Sequence, residues 1–277
     1  TGSATAQLGR IDPTTDVLIS GTLEQSLTIK VGDRTLELNA AKPTEAVTLP
    51  NGSSIEFTLD TTVAAPKVAL SSDTGNSSTD LITKNGTVLF TNLEKGATWQ
   101  YSTDGGQTWS ASTAATSVTF GTSGNYALLT RQTDAAGNVS STSALKFTLD
   151  KDAPTVSLDN VSGDGVLSTS EAQQDLVLTG TTNAEFGQTI TIYFKNKADG
   201  SILKTYTGTV NGTQWSVTIP ANEVGTFSAD VSYEVQATVK DVAGNESLVA
   251  AKSLALAVTN SGLDGYISGA VILSGLA

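Results

Sequence analysis

The chain has 277 residues, 15 Lys and Arg against 27 Asp and Glu, and no Cys, His or Met. That composition removes disulfides, zinc sites, thiol and imidazole nucleophiles and imidazole general bases together, and with them most enzyme classes. The net charge of −12 repels phosphate backbones and anionic membranes, so nucleic acid is not expected as a partner and cations are.

Thr1 to Arg10 lacks the charged and apolar regions of a signal peptide, and no run approaches the roughly 18 apolar residues of a membrane span. The chain therefore reads as a piece of a longer protein, with no membrane insertion. A first segment, residues 1–60, carries plausible strands at Val17–Ile19, Leu27–Val31, Thr35–Leu38 and Ser54–Leu59. It is either a partial repeat or a different small β domain. The second unit, residues 61–150, contains Trp99-Gln-Tyr-Ser-Thr, Asp104-Gly-Gly and Gln107-Thr-Trp109, read as a hairpin whose aromatic residues meet across the strands. It continues into a strand over Tyr126–Gln132.

The third unit, residues 151–258, has short β-rich runs at Leu176–Thr179, Ile190–Phe194, Trp215–Ile219 and Leu254–Val258, with turn pairs at Asp199-Gly200 and Asn211-Gly212. Its clearest strand is Val231–Val239, where Val231, Tyr233, Val235, Ala237 and Val239 alternate with polar residues at period two. Residues 259–277 form a tail, in which Gly262–Gly269 reads as the opening of a further module. No long helix is expected anywhere.

Two features recur. Asp134-Ala-Ala-Gly-Asn138 and Asp241-Val-Ala-Gly-Asn245 each lie eight residues after a tyrosine, Tyr126 and Tyr233, and each is expected to close a hairpin near the end of its unit. Asp60 to Pro66 and Asp150-Lys-Asp-Ala-Pro154 mark where the next unit begins. A repeat of roughly a hundred residues suits a tandem array of β-sandwiches, and copying suits a spacer better than a reaction centre. Without Cys, rigidity has to come from bound metal or an enlarged core.

Ser71–Thr83, Tyr101-Ser-Thr-Asp-Gly-Gly-Gln-Thr-Trp109 and Arg131–Ser140, with Gly163–Ala172 and Lys240–Asn245 in the third unit, resemble the bacterial immunoglobulin-like repeats of large secreted surface adhesins, the type I secreted, RTX-type proteins. The resemblance spans about residues 61–258 and leaves the first segment aside. It implies an all-β fold of tandem immunoglobulin-like β-sandwiches in an elongated array, export to the bacterial cell surface, calcium held between domains, and a role in adhesion or biofilm formation.

Geometry leads to calcium as well. An odd number of antiparallel strands puts the two termini of a sandwich at opposite poles, so loops of neighbouring units meet. One junction is expected to gather Asp73, Asp80, Asp150, Asp152, Asp241 and Asn245; the upper one Asp60, Asp134 and Asn138; the lower one Asp159, Asp164 and Glu171, with Asp264. Carboxylates so close repel unless a divalent cation lies among them, and calcium takes six to eight oxygen ligands in flexible geometry, whereas softer metals lack His or Cys. The competing reading is plain turn chemistry, since Asp, Asn and Gly are the commonest turn residues.

Trp99, Tyr101, Trp109 and Trp215 suit either sugar stacking or core packing, and Tyr126 and Tyr233 suit tyrosine corners. The sequence thus predicts a non-enzymatic, monomeric, calcium-stiffened extender whose partners are neighbouring domains of the same chain. The alternatives are a module recognising a surface glycan or protein receptor, and an accessory module beside a catalytic domain.

Overall fold

Apolar and polar residues alternate through nearly every element, so one face of each strand packs while the other meets water. The computed structural model describes residues 17–20, 26–31, 34–39, 41–48, 52 and 54–257. The expected further module at 262–269, with Asp264, lies outside the described residues. By contact, these residues fall into two compact units. The first takes in residues up to Ser71, Gly86–Gly121 and Asn125–Thr148; the second takes in Ser72–Asn85, Thr122–Gly124 and the chain from Leu149 onward.

In the first unit, β1 (Val17–Ser20), β2 (Ser26–Val31) and β3 (Arg34–Asn39) form an antiparallel meander, and β4 (Thr44–Thr48) pairs with β5 (Ser54–Thr58). Ile29, Leu36, Leu38, Val47 and Leu59 make a core of their own, with Phe57 packed against it. The strand β4 is additional to the expected four. Its one buried apolar side chain, Val47, is too little alternation to read in a sequence.

The chain continues through β6 (Lys67–Leu70), β7 (Ile82–Thr83), β8 (Thr87–Thr91), β9 (Thr98–Ser102), β10 (Ser117–Thr119), β11 (Gly124–Thr133) and β12 (Ser143–Leu149). One layer of the first unit has the order β10-β8-β6, and β12, β11 and β9 lie side by side in the other. Val88, Phe90, Trp99, Leu128 and Phe147 are buried. Trp99 stacks on Phe90 at 3.7 Å between ring centroids, and Tyr101, Phe120, Tyr126 and Phe147 continue the aromatic chain. The expected meeting of Trp99 with Trp109 does not form. Trp99 turns inward and its indole N–H donates to the carbonyl of Ala115, while Trp109 lies beneath the Arg131 guanidinium, 4.0 Å from ring centroid to Cζ.

The second unit adds β13 (Val166–Leu167), β14 (Leu176–Thr181), β15 (Thr189–Asn196), β16 (Ile202–Asn211), β17 (Gln214–Ile219), β18 (Tyr233–Val239) and β19 (Ala250–Leu256), with a 3-10 turn at Glu171–Gln173 and one α-helical turn, α1 (Ala221–Val224). Their order is β13-β19-β18-β15-β16-β17-β14, all neighbours antiparallel except β13 and β19. The continuity comes from β16. It pairs with β15 from Ile202 to Thr209 and with β17 from Thr209 to Asn211, changing partner along its length and so joining the two groups of strands. Ile190, Ile192 and Phe194 of β15 meet Leu178, Trp215, Val217, Val235 and Val239 in the shared core. The turn after β16 is Gly212-Thr213, because Asn211 is already paired with Gln214. Gly212 at φ +65° occupies the first central position, where a II′-type hairpin turn requires a left-handed residue. Tyr233 accepts a hydrogen bond at its hydroxyl from the Ser228 N–H, 2.9 Å, tying the start of β18 to the chain before it.

Candidate metal centre

The two recurring pentapeptides build the same object twice. In the first unit, Asp134 N–H donates to the Asn138 carbonyl (3.1 Å) and Gly137 N–H to the Asp134 carbonyl (3.2 Å). The Asp134 carboxylate then accepts from the Asn138 backbone N–H at Oδ1 and from its side-chain amide at Oδ2, both at 2.8 Å. In the second unit, Asp241 and Asn245 repeat every one of these bonds, at 3.1, 3.1, 2.7 and 2.9 Å. A tight turn dictates this: the Asp side chain takes up N–H groups that the turn leaves unpaired. Both carboxylates are buried, Asp134 at 8% and Asp241 at 3% exposure.

Each hairpin also grips the start of its own domain. The Asn138 side-chain amide donates to the Asp60 carbonyl and that of Asn245 to the Asp150 carbonyl, both at 3.0 Å. Two residues beyond each Asn, Ser140 and Ser247 lock the strand ends, exchanging bonds with Gln132 and Val239.

A third repeat escapes a reading centred on Asp and Gly-Asn: Asn92-Leu-Glu-Lys-Gly-Ala-Thr98 and Asn183-Ala-Glu-Phe-Gly-Gln-Thr189 share Asn-x-Glu-x-Gly-x-Thr. Glu94 of the first copy accepts from the Ala64 N–H at 3.1 Å, and its own N–H donates to the Gln132 side chain at 3.0 Å. Gln132 is wholly buried, and its amide donates to the carbonyls of Ala64 (2.6 Å) and Asn92 (3.0 Å). A satisfied buried amide of this kind fixes the loop that carries Glu94.

The consequence is a group of three carboxylates, Asp60, Glu94 and Asp134, whose ligand oxygens all lie within 4.8 Å of one another. Among the described residues no Lys or Arg forms an ion pair with any of them. Three hard oxygen donors, on two loops and on the segment that leads into the domain, are a donor set suited to calcium, and softer metals prefer ligands that this chain lacks.

Of the other acids named from the sequence, Asp152 is exposed, and the rest accept hydrogen bonds from backbone N–H groups or hydroxyls. Asp73 accepts from the Leu81 N–H at Oδ2 (2.9 Å), its Oδ1 being buried without a hydrogen-bond partner, and Asp80 accepts from the Ile82 N–H (3.0 Å). The Asp150 side chain accepts from the Asp152 N–H (3.0 Å), Asp159 from the Thr179 hydroxyl (2.7 Å) and Asp164 from the Val166 N–H (2.8 Å). Glu171 accepts from the hydroxyl and N–H of Ser168, which hold its carboxyl below the usual carboxylate range. Among the described residues, no other three acidic groups come within the same reach of one another. Glu185, the counterpart of Glu94, accepts instead from the Val242 N–H at 3.2 Å.

Residues 58–151 match a family model described as a bacterial Ig-like domain, and residues 155–256 match a second model of the same description. No curated protein matches the sequence. Among solved structures, the chain is similar to part of a 1.5-MDa bacterial ice-binding adhesin, with 18% identity over 88% of this chain and 86% of that one and a TM-score of 0.34. It is also similar to a Ca2+-stabilized adhesin of an Antarctic bacterium, with 19% identity over 88% and 64% of the two chains and a TM-score of 0.35. The fibronectin(III)-like modules of Clostridium thermocellum CbhA share 13% identity over 74% of this chain and 100% of that one, with a TM-score of 0.39. With two such matches that together span more than half its length, the chain belongs to the bacterial Ig-like domains, as two modules in sequence.

Proposed function

We propose that the chain is an extender segment of a secreted bacterial surface adhesin, stiffened by calcium at Asp60, Glu94 and Asp134 and serving adhesion or biofilm formation outside the cell. The observation that carries this reading is the convergence of those three carboxylates, none of which forms an ion pair among the described residues. Asp60 stands where the chain enters the first Ig-like domain, Glu94 on a loop and Asp134 on the closing hairpin. An ion shared by all three penalises any movement that draws the segment at Asp60 away from the loops of Glu94 and Asp134, and its binding adds to the stability of the folded state. Asn138 shapes the site by orienting the Asp134 carboxylate.

Recognition of a glycan through aromatic side chains finds less to work with. Trp99 and Trp215 are 1% and 2% exposed, and one face of the half-buried Trp109 is occupied by Arg131.

Calcium titration calorimetry on the chain tests the proposal. Heat of binding that disappears in Glu94→Gln and in Asp134→Asn, with a calcium-dependent rise in melting temperature lost in the same variants, is expected. Binding unaffected by both substitutions would overturn it.

A further inference from the structure

The second pentapeptide has a feature that the first does not. Within the second unit, the loop Ser72–Asn85 lies directly on the Asp241–Asn245 hairpin. The Thr74 hydroxyl donates to the Ala243 carbonyl at 2.7 Å and accepts from the Lys84 N–H at 2.9 Å. The Lys84 ammonium donates to the Gly244 carbonyl at 2.6 Å. Contact is so close that a β-carbon on Gly75 would stand 1.8 Å from the Val242 carbonyl oxygen.

The peptide group between Gly244 and Asn245 thus has a charge at each end. Its carbonyl accepts from the Lys84 ammonium, and its N–H donates to the buried Asp241 carboxylate at 2.7 Å. Charge-assisted hydrogen bonds at both ends of one peptide polarise it in the same sense, and each strengthens the other. We propose that Lys84 and Asp241 form an ion pair bridged by this peptide, so that the second pentapeptide is held by a cation belonging to the chain. The site that carries calcium in the first unit is, in the second, served by lysine.

The geometry agrees in three ways. Asp241 is the more buried of the two signature aspartates and has the greater need of compensating charge. Glu185, free of the grouping that engages Glu94, is turned to the Val242 N–H. Lys84 is pinned at its own backbone by Thr74, so its ammonium is delivered to the hairpin at a reduced entropic cost. The contrast with the first unit rests on the calcium reading; the bridged pair rests on the contacts of Lys84 alone.

Amide hydrogen exchange on the whole chain, measured by NMR at Asn245 and Asn138 with calcium and with EDTA, tests it. Lys84→Met is expected to speed exchange at Asn245 roughly tenfold, equally in both conditions, and Lys84→Arg to restore most of the protection. Asn138 is expected to respond to EDTA and not to the lysine substitutions. Unchanged Asn245 exchange in Lys84→Met, or an EDTA response at Asn245 as large as that at Asn138, overturns the bridged pair. An EDTA response at neither amide would remove the calcium reading and leave the Lys84 comparison to decide the pair by itself.

Discussion

The hairpins at Asp134–Asn138 and Asp241–Asn245 share sequence, hydrogen bonds and a grip on the Asp that opens their own domain, yet their surroundings differ. Around the first, acids gather; around the second, a lysine and a threonine donate to the turn's carbonyls. A repeated motif therefore specifies a local shape and leaves its charge balance to whatever the rest of the fold delivers.

The largest effect that would sharpen this contrast is steric. Gly75→Ala places a methyl against the Val242 carbonyl at φ +99°, whereas Gly137→Ala, at φ +93°, meets nothing within 4 Å. Chemical denaturation should show a loss of about 3 kcal/mol or more for the first and about 1 to 2 kcal/mol for the second, the cost of a left-handed alanine alone. Equal losses would mean that the Gly75 contact contributes nothing.

Next comes the signature aspartate itself. In EDTA, Asp241→Asn should destabilise by about 2 to 3 kcal/mol, since it strips a buried acceptor of its charge-assisted bonds. Asp134→Asn should cost less there, because removing one of three adjacent carboxylates relieves repulsion. Adding calcium should stabilise the parent chain, by about 2.7 kcal/mol at a hundredfold excess over the dissociation constant, and leave Asp134→Asn almost unmoved. Reversal of that order in EDTA would break the comparison.

A smaller difference is expected between the two repeated glutamates. Glu94→Gln should weaken calcium binding at least about tenfold, and Glu185→Gln should leave it unchanged, in the same titration.

The smallest effect concerns a carboxylate with neither ion nor lysine beside it. Asp104 is held well below its ordinary value of 3.8 by the Thr108 hydroxyl and N–H and by the Ser102 hydroxyl. A depressed folded value means that its contribution is present above the ordinary value and is lost as pH falls through the folded one. The local hairpin should therefore begin to loosen only below about pH 4, and Thr108→Ala should raise the carboxyl titration followed by NMR. A titration at the ordinary value in the parent chain would show that the hydroxyl cage is not formed in solution.

Much of the architecture is legible in the sequence. Strict alternation in Tyr233–Val239 marks β18, and the Leu176, Ile190 and Trp215 runs mark β14, β15 and β17. The recurring Asp-x-Ala-Gly-Asn marks both hairpins, because the turn is made from side chains only four residues apart. Glu94 was harder to see. A glutamate in a polar loop has no local pattern of its own, and only the second copy of Asn-x-Glu-x-Gly-x-Thr distinguishes it. The change of partner along β16 was likewise hidden, since a ten-residue strand reads the same whichever neighbour it pairs with.

What the sequence determined alone was whatever depends on near neighbours: strand periodicity, turn glycines, and aspartates capping their own loops. Only the tertiary structure decided which acids share a site and which are partnered elsewhere. Asp60, Glu94 and Asp134 are far apart along the chain, as are Lys84 and Gly244, and electrostatic energy depends on separation in space, which residue order does not encode.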